Sequence, residues 1–170
     1  GFMFAGQSCI SAQRIYVHEG VMDSFLDKLV PAVKALKVGD PLEPGVEVGP
    51  MIARSAAERA EQWIAEAVRQ GANLLVGGTR NGSYVQPTVL TNVNRERKVV
   101  CEEVFAPLVG VQGYGDFATM IEEVNRSHLG LNHGIFTRDL VEALYAIEEL
   151  EVGGVIVNDA SSYRADHMPY

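Results

Sequence analysis

The amino-terminal segment places a cysteine directly after a turn-forming sequence. Cys9 follows Gly6-Gln7-Ser8, and residues 10–13 form a short run that suits the first turn of a helix. A thiol at a helix start lies near unpaired backbone N–H groups and the positive end of the helix dipole, which lower its pKa. The same N–H groups can stabilise an oxyanion formed when sulfur attacks a carbonyl carbon. Cys9 is therefore a candidate nucleophile, but a lone cysteine is more often a small apolar core residue, and the residues alone favour that second interpretation.

Three further groups of residues could take part in chemistry. Glu103 and Phe105 lie in the segment 102–107, although paired glutamates are typically a solvated surface and a phenylalanine before Ala-Pro is typically core. Cys101 has no base or helix start nearby, so we interpret it as structural. Arg164 and His167 lie in the polar stretch 158–170, which is consistent both with a solvated loop and with a loop that contacts an anionic or hydroxylated ligand.

Alternating strand and helix patterns predict the elements that must position these residues. Short β-branched runs alternate with longer segments of helical periodicity, which is typical of an α/β fold with a largely parallel sheet flanked by helices. The predicted strands are 14–18, 74–76, 88–90, 108–114, 134–137 and 155–157, and the predicted helices are 21–37, 55–70, 117–127 and 140–150. Asp116 and Asp139 are predicted helix caps, and Leu140, Leu144, Ile147 and Leu150 are predicted to face inward.

The composition excludes several classes of protein. The chain has 170 residues, 47% hydrophobic and 21% charged, which is ordinary for a globular domain. Its formal net charge is −8 and its basic residues are scattered, so we predict no nucleic-acid partner. No apolar run approaches the roughly 20 residues of a membrane span, and the start lacks the pattern of a signal peptide. We therefore expect a soluble protein with no membrane partner.

The spacing of the cysteines and histidines indicates neither a disulfide framework nor a metal site. The two cysteines form no C-x-x-C pair, and the four histidines lack ligand spacing. We predict reduced thiols, a cytoplasmic location and no bound metal.

Collinear motifs along the whole chain resemble the catalytic domain of the aldehyde dehydrogenase superfamily. The first is G-Q-x-C with Phe2 four positions before the glycine. The others are Lys37-Val-Gly-Asp-Pro41, Gly49-Pro-Met-Ile52, Pro87-Thr-Val-Leu90, Glu102-Glu-Val-Phe-Ala-Pro107, Gly130-Leu131 followed by Gly134-Ile-Phe-Thr-Arg-Asp139, and Val152-Gly-Gly-Val-Ile-Val-Asn158.

The resemblance implies a covalent oxidation of an aldehyde that uses NAD or NADP. Cys9 would attack the aldehyde, a hydride would leave the thiohemiacetal for the nicotinamide, and water would hydrolyse the thioester. Glu103 matches the residue that accepts hydrogen bonds from the nicotinamide ribose, and Phe105 matches the aromatic beside the nicotinamide. The stretch 158–170 aligns with the substrate-entrance loop, so Arg164 and His167 are candidate substrate-binding residues. The sequence of this loop resembles that of lactaldehyde and phosphono- or sulfo-aldehyde dehydrogenases.

Departures from the family pattern limit what the chain could do alone. Ser11 stands where smaller residues are common, and Ala106 stands where the family usually has glycine. The dinucleotide-binding domain, the general-base glutamate, the asparagine of the oxyanion hole and the closing segment have no counterpart here. We therefore expect 1–170 to be a fragment of the catalytic domain, inactive by itself, from a parent that is a homo-oligomer. The alternatives are a CoA-acylating aldehyde dehydrogenase and a non-catalytic folding or association domain.

Overall fold

The computed structural model describes residues 1–168, so the last two residues of the predicted entrance loop lie outside the described part. The chain divides into two compact units, Gly1–Gly115 and Asp116–Tyr170. Within residues 1–168, no helix is long and apolar enough to cross a bilayer.

The first unit is built on a four-stranded sheet with helices packed against it. Its strands are β1 (Arg14–His18), β2 (Asn73–Val76), β3 (Arg80–Asn81), β4 (Tyr84–Val85), β5 (Thr88–Thr91) and β6 (Leu108–Tyr114). Its helices are α1 (Met22–Ala35), α2 (Arg54–Arg69) and α3 (Lys98–Cys101). The order in the sheet is β1-β6-β5-β2, while β3 and β4 form a separate hairpin.

The predicted parallel α/β sheet is confirmed, with one antiparallel edge strand. β6 runs parallel to both β1 and β5, whereas β2 is antiparallel to β5. A parallel pair needs a crossover of a dozen or more residues, usually a helix. The segment 77–87 between β2 and β5 holds only the small β3–β4 hairpin, so β2 lies antiparallel to β5.

Alternation along β6 divides the apolar core between the two faces of the sheet. Leu108 belongs to a cluster that includes Ile64 of α2, while Val109 and Val111 belong to a second cluster that includes Val33 of α1. Successive side chains of a strand point to opposite faces, so a central strand supplies both clusters. In α2, Ile64 and Ala67 are buried, whereas Val68 remains 38% exposed.

The second unit pairs two parallel strands with two helices. Its elements are α4 (Phe117–Asn125), β7 (Asn132–Ile135), α5 (Leu140–Glu149) and β8 (Gly154–Val157). Both predicted caps are confirmed: Asp116 accepts from the Thr119 N–H at 2.8 Å, and Asp139 accepts from the Val141 N–H at 2.7 Å. The hydrogen bonds from the Thr119 N–H and hydroxyl hold the pKa of Asp116 below its ordinary value.

The predicted inward face of α5 was wrong at three of its four positions, while the fourth, Leu150, is half-buried. Leu140 is 71% exposed, Leu144 is 51% exposed and Ile147 is 49% exposed. The buried residues of this helix are Ala143 and Ala146. Periodicity identified an apolar face, but the small alanines are the residues that pack inside. The strand predicted at 134–137 also begins and ends two residues earlier, at Asn132 and Ile135.

Candidate active site

Cys9 lies on a turn rather than at the start of a helix. The Ser11 N–H donates to the Ser8 carbonyl at 3.0 Å, which closes a turn with Cys9 at its corner. The Gln13 carbonyl then accepts from the Gly110 N–H at 2.8 Å, and β1 begins at the next residue. The predicted helix at 10–13 was wrong: Cys9 and Ile10 form a turn, residues 11–13 are not helical, and pairing with β6 begins at the Gln13 carbonyl. The Cys9 side chain is exposed, and helix-terminus activation no longer supports its reactivity.

The segment before Cys9 has an unusual backbone conformation. Phe4 and Ala5 have φ of 52° and 56°, and Gly6 has φ of 70°. Ala5 and Gly6 are buried, whereas the Phe4 side chain is 74% exposed. Consecutive left-handed residues are costly for side chains with a Cβ and persist only where surrounding contacts fix them.

One of those contacts joins the cysteine segment to the loop that carries Glu103. A Cβ placed on Gly6 would lie 2.0 Å from the Ala106 carbonyl oxygen and 2.9 Å from the Pro107 nitrogen. The backbones of the two segments therefore touch at this point. The fold thus brings the segment that leads to Cys9 against the segment that follows Glu103 and Phe105, and the roles of these three residues stay predictions.

The loop that follows α3 presents two candidate residues to solvent. Glu103 is exposed, and Phe105 is 36% exposed with φ of 52°. Val104, between them, is 1% exposed. Its N–H donates to Gln13 Oε1 at 2.9 Å and its carbonyl accepts from Arg59 Nη2 at 3.1 Å. Because both backbone groups of Val104 are hydrogen-bonded and its side chain is buried, the side chains of Glu103 and Phe105 on either side are exposed.

An ion pair and a thiol hydrogen bond fix α3, the short helix that precedes this loop. Lys98 Nζ lies 3.0 Å from Glu66 Oε2 of α2, and this hydrogen bond lowers the pKa of Glu66. Cys101 closes α3, and its Sγ donates to the Glu96 carbonyl at 3.6 Å. This contact agrees with the interpretation of Cys101 as a structural residue.

Gln7 forms one wall of an open cleft beside the cysteine turn. Its Nε2 donates to the Pro50 carbonyl at 3.3 Å, and its Oε1 accepts from the Ile52 N–H at 2.7 Å. The cleft has a volume of about 540 Å³ and is lined by Gln7, Pro50, Met51, Ile52 and Phe105. This cleft was not predicted from the sequence, although Gln7 and Gly49-Pro-Met-Ile52 both belong to the motifs quoted above.

Arg164 and His167 belong to the second unit. Both side chains are exposed, and Arg164 Nη2 donates to the Met168 carbonyl of its own loop at 3.2 Å. Their candidate substrate role stays a prediction. Among the described side chains, no group of three or more His, Cys, Asp or Glu is arranged to hold a metal ion.

The first unit is an α/β unit in which a tight turn offers a thiol next to a loop that offers a carboxylate and an aromatic ring. The sequence profile of the aldehyde dehydrogenase family matches residues 1–170, and the chain belongs to this family.

Individual relatives agree with this membership. The chain is 50% identical over 169 residues to 3-sulfolactaldehyde dehydrogenase from Priestia aryabhattai, covering 99% of this chain and 35% of the relative. Its structure is similar to aldehyde dehydrogenase 21 from Physcomitrella patens in complex with the reaction product succinate, with a TM-score of 0.96 and 48% identity over 98% of this chain and 34% of that one.

A third similarity is to glyceraldehyde-3-phosphate dehydrogenase from Methanocaldococcus jannaschii complexed with NADP. The TM-score is 0.94 and the identity is 38%, over 98% of this chain and 36% of that one. The chain therefore spans about a third of the length of the relatives it matches.

Proposed function

We propose that this chain supplies the nucleophile and part of the nicotinamide site of an NAD(P)-dependent aldehyde dehydrogenase that converts an aldehyde to a carboxylic acid. The observation that carries the proposal is the contact of Gly6 with the Ala106–Pro107 peptide. This contact puts the turn of Cys9 next to the loop of Glu103 and Phe105. The two-part chemistry of thiol addition and hydride removal needs this proximity.

The proposed reaction begins at the sulfur of Cys9. The thiolate attacks the aldehyde carbon and forms a carbon–sulfur bond, giving a thiohemiacetal. A bound NAD(P)⁺ would supply the hydride acceptor. The former aldehyde C–H bond breaks with its electron pair, and the oxyanion of the thiohemiacetal becomes the carbonyl oxygen of a thioester. Water attacks the resulting thioester, the carbon–sulfur bond breaks, and the products are a carboxylic acid and the free thiol.

The exposed groups of the Glu103 loop fit the nicotinamide ribose. A carboxylate accepts hydrogen bonds through two oxygens, which suits a pair of neighbouring ribose hydroxyls. Glu103 is exposed while Val104 beside it is anchored by two side chains, so the carboxylate is available without a change of the loop. Phe105 presents a partly exposed ring on the cleft that Gln7 also lines, where a flat aromatic ligand could pack.

The remaining catalytic parts would come from the rest of a full-length protein of the relatives' size. We assign to it the general base, the oxyanion-hole asparagine and the dinucleotide-binding domain, as the family pattern implies. We expect this full-length protein to be a cytoplasmic homo-oligomer. The free thiols of Cys9 and Cys101 support the cytoplasmic location, because reduced cysteines are typical of that compartment.

The proposed substrate is a short aldehyde with an anionic or hydroxyl group. The similarity to a 3-sulfolactaldehyde dehydrogenase and to a structure holding succinate supports this class. Arg164 supplies a planar set of donors suited to carboxylate or sulfonate oxygens, and His167 can donate to a hydroxyl.

The direct test measures reduced nicotinamide from the full-length protein and from its Cys9→Ala variant. We expect turnover in the first, none in the second, and a mass increase at Cys9 when the reaction is quenched by acid. The 170-residue chain alone should give no turnover. Added CoA distinguishes an acid-forming from a CoA-acylating aldehyde dehydrogenase. Formation of acyl-CoA in place of the acid would identify the protein as CoA-acylating. Turnover that survives Cys9→Ala would overturn the proposal.

A further inference from the structure

The side chain of Gln13 connects the cysteine segment to the loop of Glu103. Its Nε2 donates to the Val99 carbonyl at 3.1 Å and to the Glu102 carbonyl at 2.8 Å. Its Oε1 accepts from the Val104 N–H at 2.9 Å. One amide group therefore binds the backbone immediately before and immediately after Glu103.

Gln13 is itself fixed at the start of the sheet. Its carbonyl accepts from the Gly110 N–H at 2.8 Å, and the next residue, Arg14, pairs with Gly110 in β1 and β6. The side chain thus extends from a rigid strand end, four residues after Cys9, to a loop outside the regular elements. The side chain of Gln13 therefore ties the Glu103 loop to a fixed end of the sheet by hydrogen bonds.

The chemistry of an amide is required at this place. Two backbone carbonyls face the nitrogen end and one backbone N–H faces the oxygen end, so the side chain must both donate and accept. An ionised carboxylate of the same shape can only accept, and it would place negative charge against two carbonyl oxygens. A thioether of similar length forms no comparable hydrogen bonds.

We propose that Gln13 is a positioning residue for Glu103, and this inference rests on the proposed role of Glu103 at the nicotinamide ribose. Gln13 touches neither ribose nor aldehyde in this proposal. It fixes the two peptide groups that flank Glu103, so that the carboxylate meets the ribose hydroxyls without first ordering its loop. Preorganisation of this kind lowers the cost of ligand binding.

The test compares Gln13→Met and Gln13→Glu with the matched control Gln112→Met. Gln112 is also a half-buried glutamine, and its Nε2 donates to the Val93 carbonyl at 2.6 Å, away from the Glu103 loop. In the full-length protein, hydrogen exchange of the Val104 amide should be faster by about five-fold or more in Gln13→Met, which removes the acceptor of that amide. The change should be smaller in Gln13→Glu, because its carboxylate still accepts from Val104 and loses only the bonds to the Val99 and Glu102 carbonyls. Gln112→Met should leave this exchange rate unchanged. Equal exchange in all chains would overturn the inference.

In the full-length protein, the Gln13 variants should raise the KM for NAD(P) by about ten-fold or more. An activated ester such as p-nitrophenyl acetate should acylate a nucleophilic Cys9 without cofactor, and the resulting burst of p-nitrophenolate should stay unchanged. A matching loss of this burst would show general damage around the thiol and overturn the positioning role.

A double-mutant cycle with Glu103→Gln shows whether Gln13 acts through Glu103. If it does, Gln13→Met changes the KM for NAD(P) much less in the Glu103→Gln background than in the wild type. Fully additive effects would count against the inference. If Glu103→Gln leaves the KM unchanged, the proposed ribose role fails and the inference fails with it. If Glu103→Gln raises the KM and Gln13→Met does not, only the inference fails.

Discussion

Gly6 and the carbonyl group of Ala106 lie so close that a methyl group on Gly6 would overlap the carbonyl oxygen. The distance from an added Cβ to that oxygen is 2.0 Å, well inside van der Waals contact. Ala106 is 5% exposed, and its segment continues into the buried strand β6. The carbonyl therefore cannot move aside without disturbing the centre of the sheet.

We predict that Gly6→Ala destabilises the first unit, with Gly45→Ala as the matched control. Both glycines have positive φ, 70° and 79°, but a Cβ on Gly45 meets no atom within 4 Å. The control therefore measures the backbone cost, and the additional loss at Gly6 measures the collision. Overpacking of this kind costs about 1–3 kcal/mol. Urea unfolding gives both free energies, and equal losses in the two variants would show that the loops do not touch at Gly6.

The two thiols should differ in their rate of alkylation. Cys9 is exposed at the corner of a turn, whereas Cys101 is half-buried and its Sγ donates to the Glu96 carbonyl. We expect iodoacetamide to label Cys9 faster in the folded chain, as measured by mass mapping after short reaction times. In concentrated urea the ratio of the two rates should fall to about one, because unfolding exposes both thiols. Equal rates in the folded chain would contradict the structure of this turn.

Much of the fold could be predicted from the sequence because its elements carry strong local patterns. The β-branched runs of β5 and β6 and the capped helices beginning after Asp116 and Asp139 were placed within a few residues. Periodicity does not identify what packs against an apolar face, so the burial of Ala143 and Ala146 in place of the α5 leucines was missed. The helix at 10–13 was wrong because the chain turns at Cys9 and Ile10 and then pairs with β6, which is distant in sequence, from the Gln13 carbonyl onward.

The residues of the candidate site could be predicted from the sequence only where they belong to a family motif. Cys9, Glu103 and Phe105 came from resemblance, and the contact of Gly6 with Ala106 explains why they occur together. Gln13 gave no signal of its own. Its hydrogen bonds join residues 86 to 91 positions apart, and no local pattern encodes a polar contact over such a distance.

Glu103 should act on the cofactor and leave the thiol unaffected. In the full-length protein, Glu103→Gln retains the shape and one acceptor but loses charge-assisted hydrogen bonds. We expect a higher KM for NAD(P) and slower hydride transfer, with iodoacetamide labelling of Cys9 nearly unchanged. Glu102→Gln is the matched control, because Glu102 is the adjacent residue, its side chain is also exposed, and the substitution removes the same charge. A loss of Cys9 reactivity in Glu103→Gln would reassign Glu103 as the base that activates the thiol.

Arg164 should select for anionic aldehydes in the full-length protein. The guanidinium of Arg164 is exposed and donates from Nη2 to the Met168 carbonyl at 3.2 Å. Its planar set of N–H donors suits carboxylate, sulfonate or phosphonate oxygens. We expect Arg164→Ala to lower kcat/KM for 3-sulfolactaldehyde, succinic semialdehyde and phosphonoacetaldehyde, and to leave hexanal and benzaldehyde nearly unchanged. Loss of a donor matched to a substrate anion costs about 1–3 kcal/mol, roughly ten-fold or more in kcat/KM.

Arg126→Ala provides the control for this change of charge. Arg126 is an exposed arginine of the same unit, and its Nη1 lies 3.0 Å from Glu123 Oε2, a surface pair on α4 and its carboxyl end. Its removal alters the net charge equally, so any general electrostatic attraction of anionic aldehydes should fall equally in both variants. If only Arg164→Ala lowers kcat/KM for the anionic aldehydes, the contact with the substrate anion is made by Arg164. A uniform loss across the aldehydes, or a wild-type preference for hexanal, would make Arg164 a solvated surface residue.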